Sequence, residues 1–529
     1  MTAVARGNQA SGTPESDDLG GAVESGPETE ETSQVSQVSR ETVEASQETS
    51  EASAETIRGR TGETTLATQA EPTSRLPTGW LQRKAPSLLH RNYRLYFFGQ
   101  LVSVIGTWMQ TIAQSFLVLE LTHSGTELGL TTAVRFLPML LFGPAGGLYA
   151  DRHDKRRILY VTQTLSGLLA GVFAICLVTG SMHLWVIYLL AAALGFVNVF
   201  DNPARQSFIS EMVPPADMPN AVLLNSISMN MARVFGAAVG GTVAAVLGLT
   251  LCFTLNAVSY IAVLVSLAAM SAAALYPARK IAKEKGQVRA GLRYVWSKPE
   301  ILIPMVMIAV VGTLAWEFQV SLPLMASSVF HGWIFHNSAA AYGTMASVMG
   351  AGAVVGGFVS AGRVQPGPRA LCLASIGWGI AILAAALAPN MPVELAAMLF
   401  VGYGSITFNS LAKTTLQLAA KPEMRGRVMA LWALAWLGST PIGGPIVGWV
   451  GENAGPRWGL IIGGVATLAC GILALGWAVR RGAVVAGADA SDSAHERGRE
   501  QAREQARERG RQGGRERGKE PSASAGAIG

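Results

Sequence analysis

The chain has polar ends and a long middle in which apolar runs, each long enough to cross a bilayer, follow one another with only short polar breaks. A hydrocarbon core about 30 Å thick takes about 20 helical residues to cross. Twelve such runs are present, at approximately 95–119, 128–149, 158–179, 184–203, 221–247, 251–275, 300–323, 339–361, 370–389, 393–414, 428–450 and 458–479. None shows the strict apolar–polar alternation of a barrel strand. In lipid each backbone group must be bonded within its own element, so the pattern predicts twelve transmembrane helices. Charge then predicts their direction. The loops after the second, fourth, sixth, eighth and tenth runs carry the bases, from Arg152, Lys155, Arg156 and Arg157 to Lys421, Arg425 and Arg427, whereas the opposite loops hold only Arg457. By the positive-inside rule both termini are expected to be cytoplasmic.

The longest internal loop, 276–299, divides the runs six and six, and the halves echo each other. Gly146-Gly147 near the end of span 2 matches Gly356-Gly357 near the end of span 8, and Gly240-Gly241 in span 5 matches Gly443-Gly444 in span 11. The expected architecture is therefore an all-α membrane protein of two pseudo-symmetric six-helix bundles. The first covers 76–275 and includes an amphipathic lead-in with Trp80, Arg83, Lys84, Arg91 and Arg94. A cytoplasmic linker follows at 276–299, and the second bundle covers 300–480. Repeated halves of this kind point to a secondary transporter whose bundles rock about a substrate held near the midplane.

The composition agrees. Half of the 529 residues are hydrophobic and 14% are charged, against about 25% charged in soluble domains. Mean hydropathy is +0.33 despite the polar ends. Residues 1–75, rich in Ser, Thr and Glu, cannot bury enough surface to offset the entropy of ordering, and are expected to be a disordered acidic tail. Residues 481–529, with the Arg499–Arg507 repeat, are expected to be a low-complexity charged tail. The net charge of +6 thus sums unlike regions, and the bases of the middle are topology determinants rather than a nucleic-acid surface. Cys176, Cys252, Cys372 and Cys470 lie in apolar runs, without metal-ligand spacing or a disulfide framework. No apolar stretch in the first 70 residues reads as a signal peptide.

Ionisable side chains inside a bilayer are costly and become functional candidates. Arg135 lies in span 2, Arg233 in span 5 and Glu317 in span 7, whereas Glu120 and Glu394, at span ends, are expected to be solvated. Burial pushes a carboxylate toward protonation and a nearby cation opposes this. Glu317, with Arg233, is therefore the candidate coupling pair; an interhelical pair of Glu317 with Arg135 is the structural alternative. In span 1, Gln110 and Gln114 share a face, with Trp108 close by. With Arg135, these are the candidate substrate-binding residues, suited to an amphipathic organic molecule. Asn198, Asp201, Asn202 and Arg205 line up on span 4, where a structural clasp with span 5 is expected. Gly240, Gly241, Gly443 and Gly444 are expected to pack helices closely, and Pro441 and Pro445 to bend span 11. No Walker-A loop, His-Glu-x-x-His site or other catalytic set is present, so neither an enzyme nor a cofactor or metal is expected.

The segment Gly147-Leu148-Tyr149-Ala150-Asp151-Arg152-His153-Asp154-Lys155-Arg156-Arg157 resembles the signature of the major facilitator superfamily between helices 2 and 3, Gly-x-x-x-Asp-Arg-x-Gly-Arg-Arg/Lys. The stretch Arg91–Gln100, then Gly106-Thr107-Trp108-Met109-Gln110, Asp201-Asn202-Pro203-Ala204-Arg205 and Arg425-Gly426-Arg427-Val428-Met429-Ala430 are similar to the branch that contains enterobactin-type siderophore exporters. The resemblance covers about residues 88–480. It implies a cytoplasmic gate at Gly147, Asp151, Arg152 and Arg156, in which a carboxylate beside the start of a helix favours one packing of the halves. Asp154 replaces the second signature glycine. Helix 4 has Gly195-Phe196-Val197-Asn198 where proton-coupled drug exporters carry an Arg, and helix 5 lacks their Gly-Pro.

The expectation is a proton-coupled exporter of a small organic molecule (a siderophore, drug or metabolite) that works by alternating access as a monomer in the inner membrane of a bacterium. Proton-coupled uptake, exchange, and a non-transporting sensor or scaffold remain the alternatives. The expected partners are the substrate, protons and the lipid bilayer, with no nucleic acid.

Overall fold

The computed structural model describes residues 85–276, 287–330, 337–360 and 367–480. The expectations for both tails, for the lead-in before residue 85 and for the first part of the linker lie outside these residues. The first half consists of α1 (Arg91–Thr122), α2 (Gly125–Arg152), α3 (Lys155–Val178), α4 (Leu184–Met212), α5 (Met218–Leu247) and α6 (Leu249–Ala269). A short linker helix, α7 (Gln287–Trp296), precedes the second half. There follow α8 (Pro299–Leu314), α9 (Phe318–Ser328), α10 (Ser338–Ser360), α11 (Pro368–Ala386), α12 (Met391–Ala419), α13 (Pro422–Leu437), α14 (Thr440–Asn453) and α15 (Pro456–Arg480). Among the described residues, twelve stretches are long and apolar enough to cross a membrane. Two of them are each made of a pair of helices, α8 with α9 and α13 with α14. The outward faces suit lipid: Leu168, Ile175, Leu189, Val265 and Leu473 are more than half exposed.

Local chemistry sets the turns. Ser124 caps α2 by accepting from the Glu127 amide at 3.2 Å, the first half of a Ser-x-x-Glu capping box. Asp154 caps α3 and Asn390 caps α12 in the same way. Gly248 alone joins α5 to α6, at φ +86°, where a side chain would be strained.

Within the first half, α1 lies along α5 and α6, α3 along α4 and α6, and α2 along α4. Within the second, α10 lies along α12, and α11 along α12 and α15. Two broad contacts join the halves, α5 with α10 and α2 with α14. The paired glycines lie where these helices meet. A methyl on Gly240 would come within 2.7 Å of the Met109 Cα on α1, and one on Gly443 would overlap the Thr313 carbonyl on α8. A methyl on Gly241 would come within 2.8 Å of the Gly343 Cα on α10, and one on Gly444 within 2.9 Å of the Gly129 carbonyl on α2. In each half the first glycine thus seats its helix on its own bundle and the second seats it on the other. Gly146 similarly lets α2 approach Val199 on α4, as Gly356 lets α10 approach Tyr403 on α12.

The close inter-bundle contacts lie toward the end that the charge pattern predicts to be external. There Gly125 meets Gly448, Gly129 meets Gly444, and Gly241 meets Gly343. Burial follows the same division. In α2, Gly125, Leu128, Gly129, Thr131, Thr132 and Ala133 are buried, whereas toward the other end Gly146 and Ala150 are buried against their own bundle and Leu137, Leu141, Phe142, Leu148 and Tyr149 are exposed. In span 11, Gly443, Gly444, Val447, Gly448 and Gly451 of α14 are buried, while much of α13 is not.

Gly448→Val places carbon inside the contact distance of the Gly125 carbonyl, a backbone atom that cannot rotate aside. The expected effect is a closed end destabilised by about 1–3 kcal/mol, as for other overpacked sites. Labelling of Thr131→Cys, a position buried at this end, measures it: with the four native cysteines replaced, a thiol reagent should react several-fold faster in the Gly448→Val background.

Candidate functional site

A cavity of about 210 Å³ is enclosed by α1, α2, α3, α4 and α6, all from the first half. Its polar lining includes Arg135, Asn198, Asn202, Arg205 and Tyr260. Arg205 is held by Asp201, one turn earlier on α4. Asp201 is 1% exposed and also accepts from Thr162 Oγ1 at 2.7 Å and Gln163 Nε2 at 2.6 Å. The clasp expected between spans 4 and 5 is therefore made with α3 instead, because Asp201 turns toward Thr162 and Gln163. Asn198 and Asn202 are left facing the cavity.

Arg135 reaches the cavity from α2. Its Nη1 lies 3.5 Å from Thr111 Oγ1, and none of the ion pairs among the described residues includes it. It also borders a second, small cavity of about 20 Å³ with Thr111, Gln114 and Ser115 of α1, Thr131 and Thr132 of α2, and Gln319 of α9. This cavity lies between the bundles. Of the amides singled out on span 1, Gln114 lines it, and its Oε1 has no hydrogen-bond partner. Gln110 lines neither cavity: it is buried, and its Oε1 accepts from Asn256 Nδ2 of α6 at 2.5 Å, so it acts as an interhelical tie. Trp108 lies under Arg233, whose guanidinium carbon is 4.8 Å from the ring centroid. This cation–π contact is the setting of the Arg233 charge.

Glu317 lies at a break in span 7, between α8 and α9, and is 3% exposed. Span 11 is broken at Gly438–Ser439, and the two breaks are neighbours. A methyl on Gly312 would come within 2.7 Å of Ser439 Oγ, and one on Gly443 within 3.2 Å of Glu317 Oε1. Oε1 itself has no hydrogen-bond partner. No ion pair joins Glu317 to Arg135 among the described residues, so the interhelical pair is not formed. Trp316 stacks obliquely on Trp436, at 4.5 Å between centroids, and walls off this junction. Pro441, at the second position of α14, fits the break in span 11: in a continuous helix its ring would clash with the carbonyl four residues earlier and supply it no donor.

Two acidic residues and one basic residue differ from the expectations or were missed by them. Glu394 is not solvated: it is fully buried in the first turn of α12, and neither oxygen has a hydrogen-bond partner. Glu452, at the end of α14, accepts from Ser124 Oγ at 2.7 Å, the Thr126 amide at 2.8 Å and Thr126 Oγ1 at 2.5 Å. It therefore ties the second bundle to the start of α2, where the helix dipole favours an anion. Lys413 stands inside span 10, with its Nζ 5.5 Å from the centroid of the Trp432 ring on α13. A scan for charges within the apolar runs would have found Lys413.

At the other end of α2, Asp151 and Arg152 are exposed, and the position of Gly147 faces open space. Arg156 is engaged within its own bundle, donating from Nε at 3.1 Å and Nη2 at 2.6 Å to the Leu267 carbonyl at the end of α6. A base is well placed at these last carbonyls of a helix. Among the described residues no group of three or more His, Cys, Asp or Glu side chains is arranged to hold a metal.

Asp201 offers a test of the cavity wall. Asp201→Ala leaves the Arg205 guanidinium buried without its anion, a loss of about 3–5 kcal/mol for a pair broken on one side. The melting temperature in detergent should fall accordingly, and the double variant Asp201→Ala, Arg205→Leu should recover part of the loss.

Residues 84–511 match the family described as transmembrane secretion effectors. The enterobactin exporter EntS of Escherichia coli is 23% identical over 401 residues, which cover 75% of this chain and 94% of the exporter. The staphyloferrin A transporter of Staphylococcus aureus is 29% identical over 178 residues, covering 33% of this chain and 44% of that protein. Among solved structures, an inward-facing bacterial homologue of the human lysosomal transporter Spinster superposes with a TM-score of 0.55 at 17% identity, covering 73% of this chain and 95% of its own. A peptide transporter in complex with alafosfalin superposes with a TM-score of 0.59 at 16% identity, covering 75% and 98%. With twelve membrane-length stretches among the described residues, paired bundles and matched signature, the chain belongs to the major facilitator superfamily, in the family of transmembrane secretion effectors, and is a membrane transporter rather than an enzyme.

Proposed function

We propose that this transporter exports a small organic molecule of the siderophore kind across a bacterial inner membrane, by alternating access and at the expense of the proton gradient. The observation that carries the reading is the one-sided closure of the bundles: glycine-backed contacts shut one end, while the remaining lengths of α2 and α13 stay exposed. If both termini are cytoplasmic, the open end faces the cytoplasm, as an exporter must to load. The exported class rests on the two siderophore transporters among the relatives.

In this reading Asp151 and Arg152, with Gly147 as the smooth surface beside them, close the cytoplasmic end when the external end opens. Arg156 holds α3 to α6 so that the first bundle turns as one body. Glu452 is the external counterpart: its contacts with Ser124 and Thr126 hold the closed end and must be released for the substrate to leave. Trp108, Gln114 and Arg135 contribute to the substrate path. Glu317 carries the proton, because it is buried where two broken helices meet and a change in its charge alters what the junction can tolerate. Arg233, the other coupling candidate, rests on the Trp108 ring, and no ion pair joins it to Glu317 among the described residues.

The test is transport in proteoliposomes, with a catecholate siderophore as cargo and an imposed pH gradient. The wild type should accumulate it, and a protonophore should abolish the accumulation; accumulation that ignores the gradient removes proton coupling. Glu317→Gln should still exchange labelled for unlabelled cargo but should not concentrate it. Asp151→Asn should reach normal membrane abundance yet transport about ten-fold more slowly or worse, the order expected when a charge–helix contact worth up to about 2 kcal/mol is lost.

A further inference from the structure

The larger cavity and the small one beside it share one uncompensated charge, Arg135. The small cavity is lined by hydroxyls and amides, and the large one adds Asn198, Asn202 and Tyr260; no carboxylate lines either of them. The second cation of the large cavity, Arg205, is already neutralised by Asp201 on the far side of the wall. Among the described residues the hydrogen-bond partner of Arg135 is a neutral hydroxyl, Thr111 Oγ1 at 3.5 Å. Beside it, Gln114 is 5% exposed and its amide oxygen has no partner. Charges of this kind inside a bilayer are ordinarily paired. Here, among the described residues, the first bundle leaves an Arg without an ion pair and an amide oxygen without a hydrogen bond beside a hollow.

We infer that Arg135 is the specificity residue for an anionic head group, and that the exported molecule is an organic anion with a carboxylate or ionised phenol that enters this cavity. The inference rests on the transport reading above and narrows its substrate class. At about 210 Å³ the cavity is smaller than the ~300–1,000 Å³ of sites that enclose a drug-sized ligand. It therefore takes one end of the molecule, and the rest lies in the opening between the bundles. The guanidinium presents two N–H groups side by side to a planar pair of oxygens, a match that a lysine ammonium makes less well. Asn198 and Asn202, one helical turn apart on α4, supply neutral donors to the same group. The Gly195 position, where α4 closes on the Arg135 carbonyl, fixes the backbone from which the guanidinium projects.

Matched probes test this. Saturation binding of radiolabelled salicylate and of 1-naphthoate to the full-length protein in detergent is compared with that of their neutral amides. Both acids should bind more tightly than their amides. Arg135→Gln should weaken acid binding about ten-fold or more, the loss expected for a hydrogen bond to a charged group, and leave the weak amide binding unchanged. Arg135→Lys should restore part of the loss. Equal binding of acid and amide by the wild type overturns the inference without any variant. So does acid binding that survives Arg135→Gln, or the absence of saturable binding for both acids. The transport reading fails separately: a protein that binds acids through Arg135 but moves no siderophore in proteoliposomes keeps the anion site and loses the exporter. One that exports while preferring the amides does the reverse.

Discussion

Two helices can lie backbone to backbone only where no side chain stands between them, and each central glycine pair of this chain achieves this on two sides of one helix. Lipid gives apolar side chains no reason to leave it for a neighbouring helix, so close van der Waals packing has to supply the association. Gly240 and Gly443 seat α5 and α14 on α1 and α8 of their own bundles. Gly241 and Gly444 turn the same helices toward α10 and α2 of the other bundle. A glycine surface also offers no knobs to interlock. The inner seat can be kept while the outer one slips, which is the mechanical condition for two bundles to tilt without coming apart.

The ionisable groups of the interior divide into those that are answered and those that are not. Asp201 is answered three times, by Thr162, Gln163 and Arg205. Arg156 is answered by the last carbonyls of α6, and Arg233 by the face of Trp108. Each arrangement stabilises a charge that would otherwise oppose folding. Arg135 and Glu317 differ. Among the described residues the first has only a distant hydroxyl, and the second keeps one oxygen without a partner, as Glu394 keeps both of its own. Arg135 lies next to a hollow and Glu317 next to two helix breaks, and those positions direct attention to cargo and to protons.

The helical runs, their number and the matched glycines were legible in the sequence because they depend on length, apolar content and residue size, which are local properties. What the sequence hid depends on which way a side chain turns. Asp201 sits on a face from which both α3 and α5 are conceivable partners, and only the packed angle of α4 selects Thr162 and Gln163. Gln110 and Gln114 share a helix face, yet four residues of rise separate an interhelical tie from a cavity wall. Glu394 lies near a span end, but it is fully buried in a helix packed along α10 and α11, so proximity to the terminus does not bring water. The break before Glu317 is the least legible feature. No glycine or proline marks residues 315–317, and the interruption matches one in span 11 that Pro441 does encode.

That pair of breaks separates two halves that the glycines make alike. Spans 1 and 5 are the first-half counterparts of spans 7 and 11, and they run as single helices, α1 over 32 residues and α5 over 30. An unbroken helix transmits a rotation along its whole length, whereas a broken one lets its two segments turn by different amounts. The lone cation therefore sits in the stiffer bundle, where a ligand can be held at a fixed distance from Asn198 and Asn202. Glu317 sits in the bundle whose helices are already divided, where neutralising one charge changes the contact between four helix ends at once. On the reading proposed above, binding and driving force thus occupy different halves. The inter-bundle surface of Gly129, Gly444, Gly241 and Gly343 is the path by which one half can act on the other.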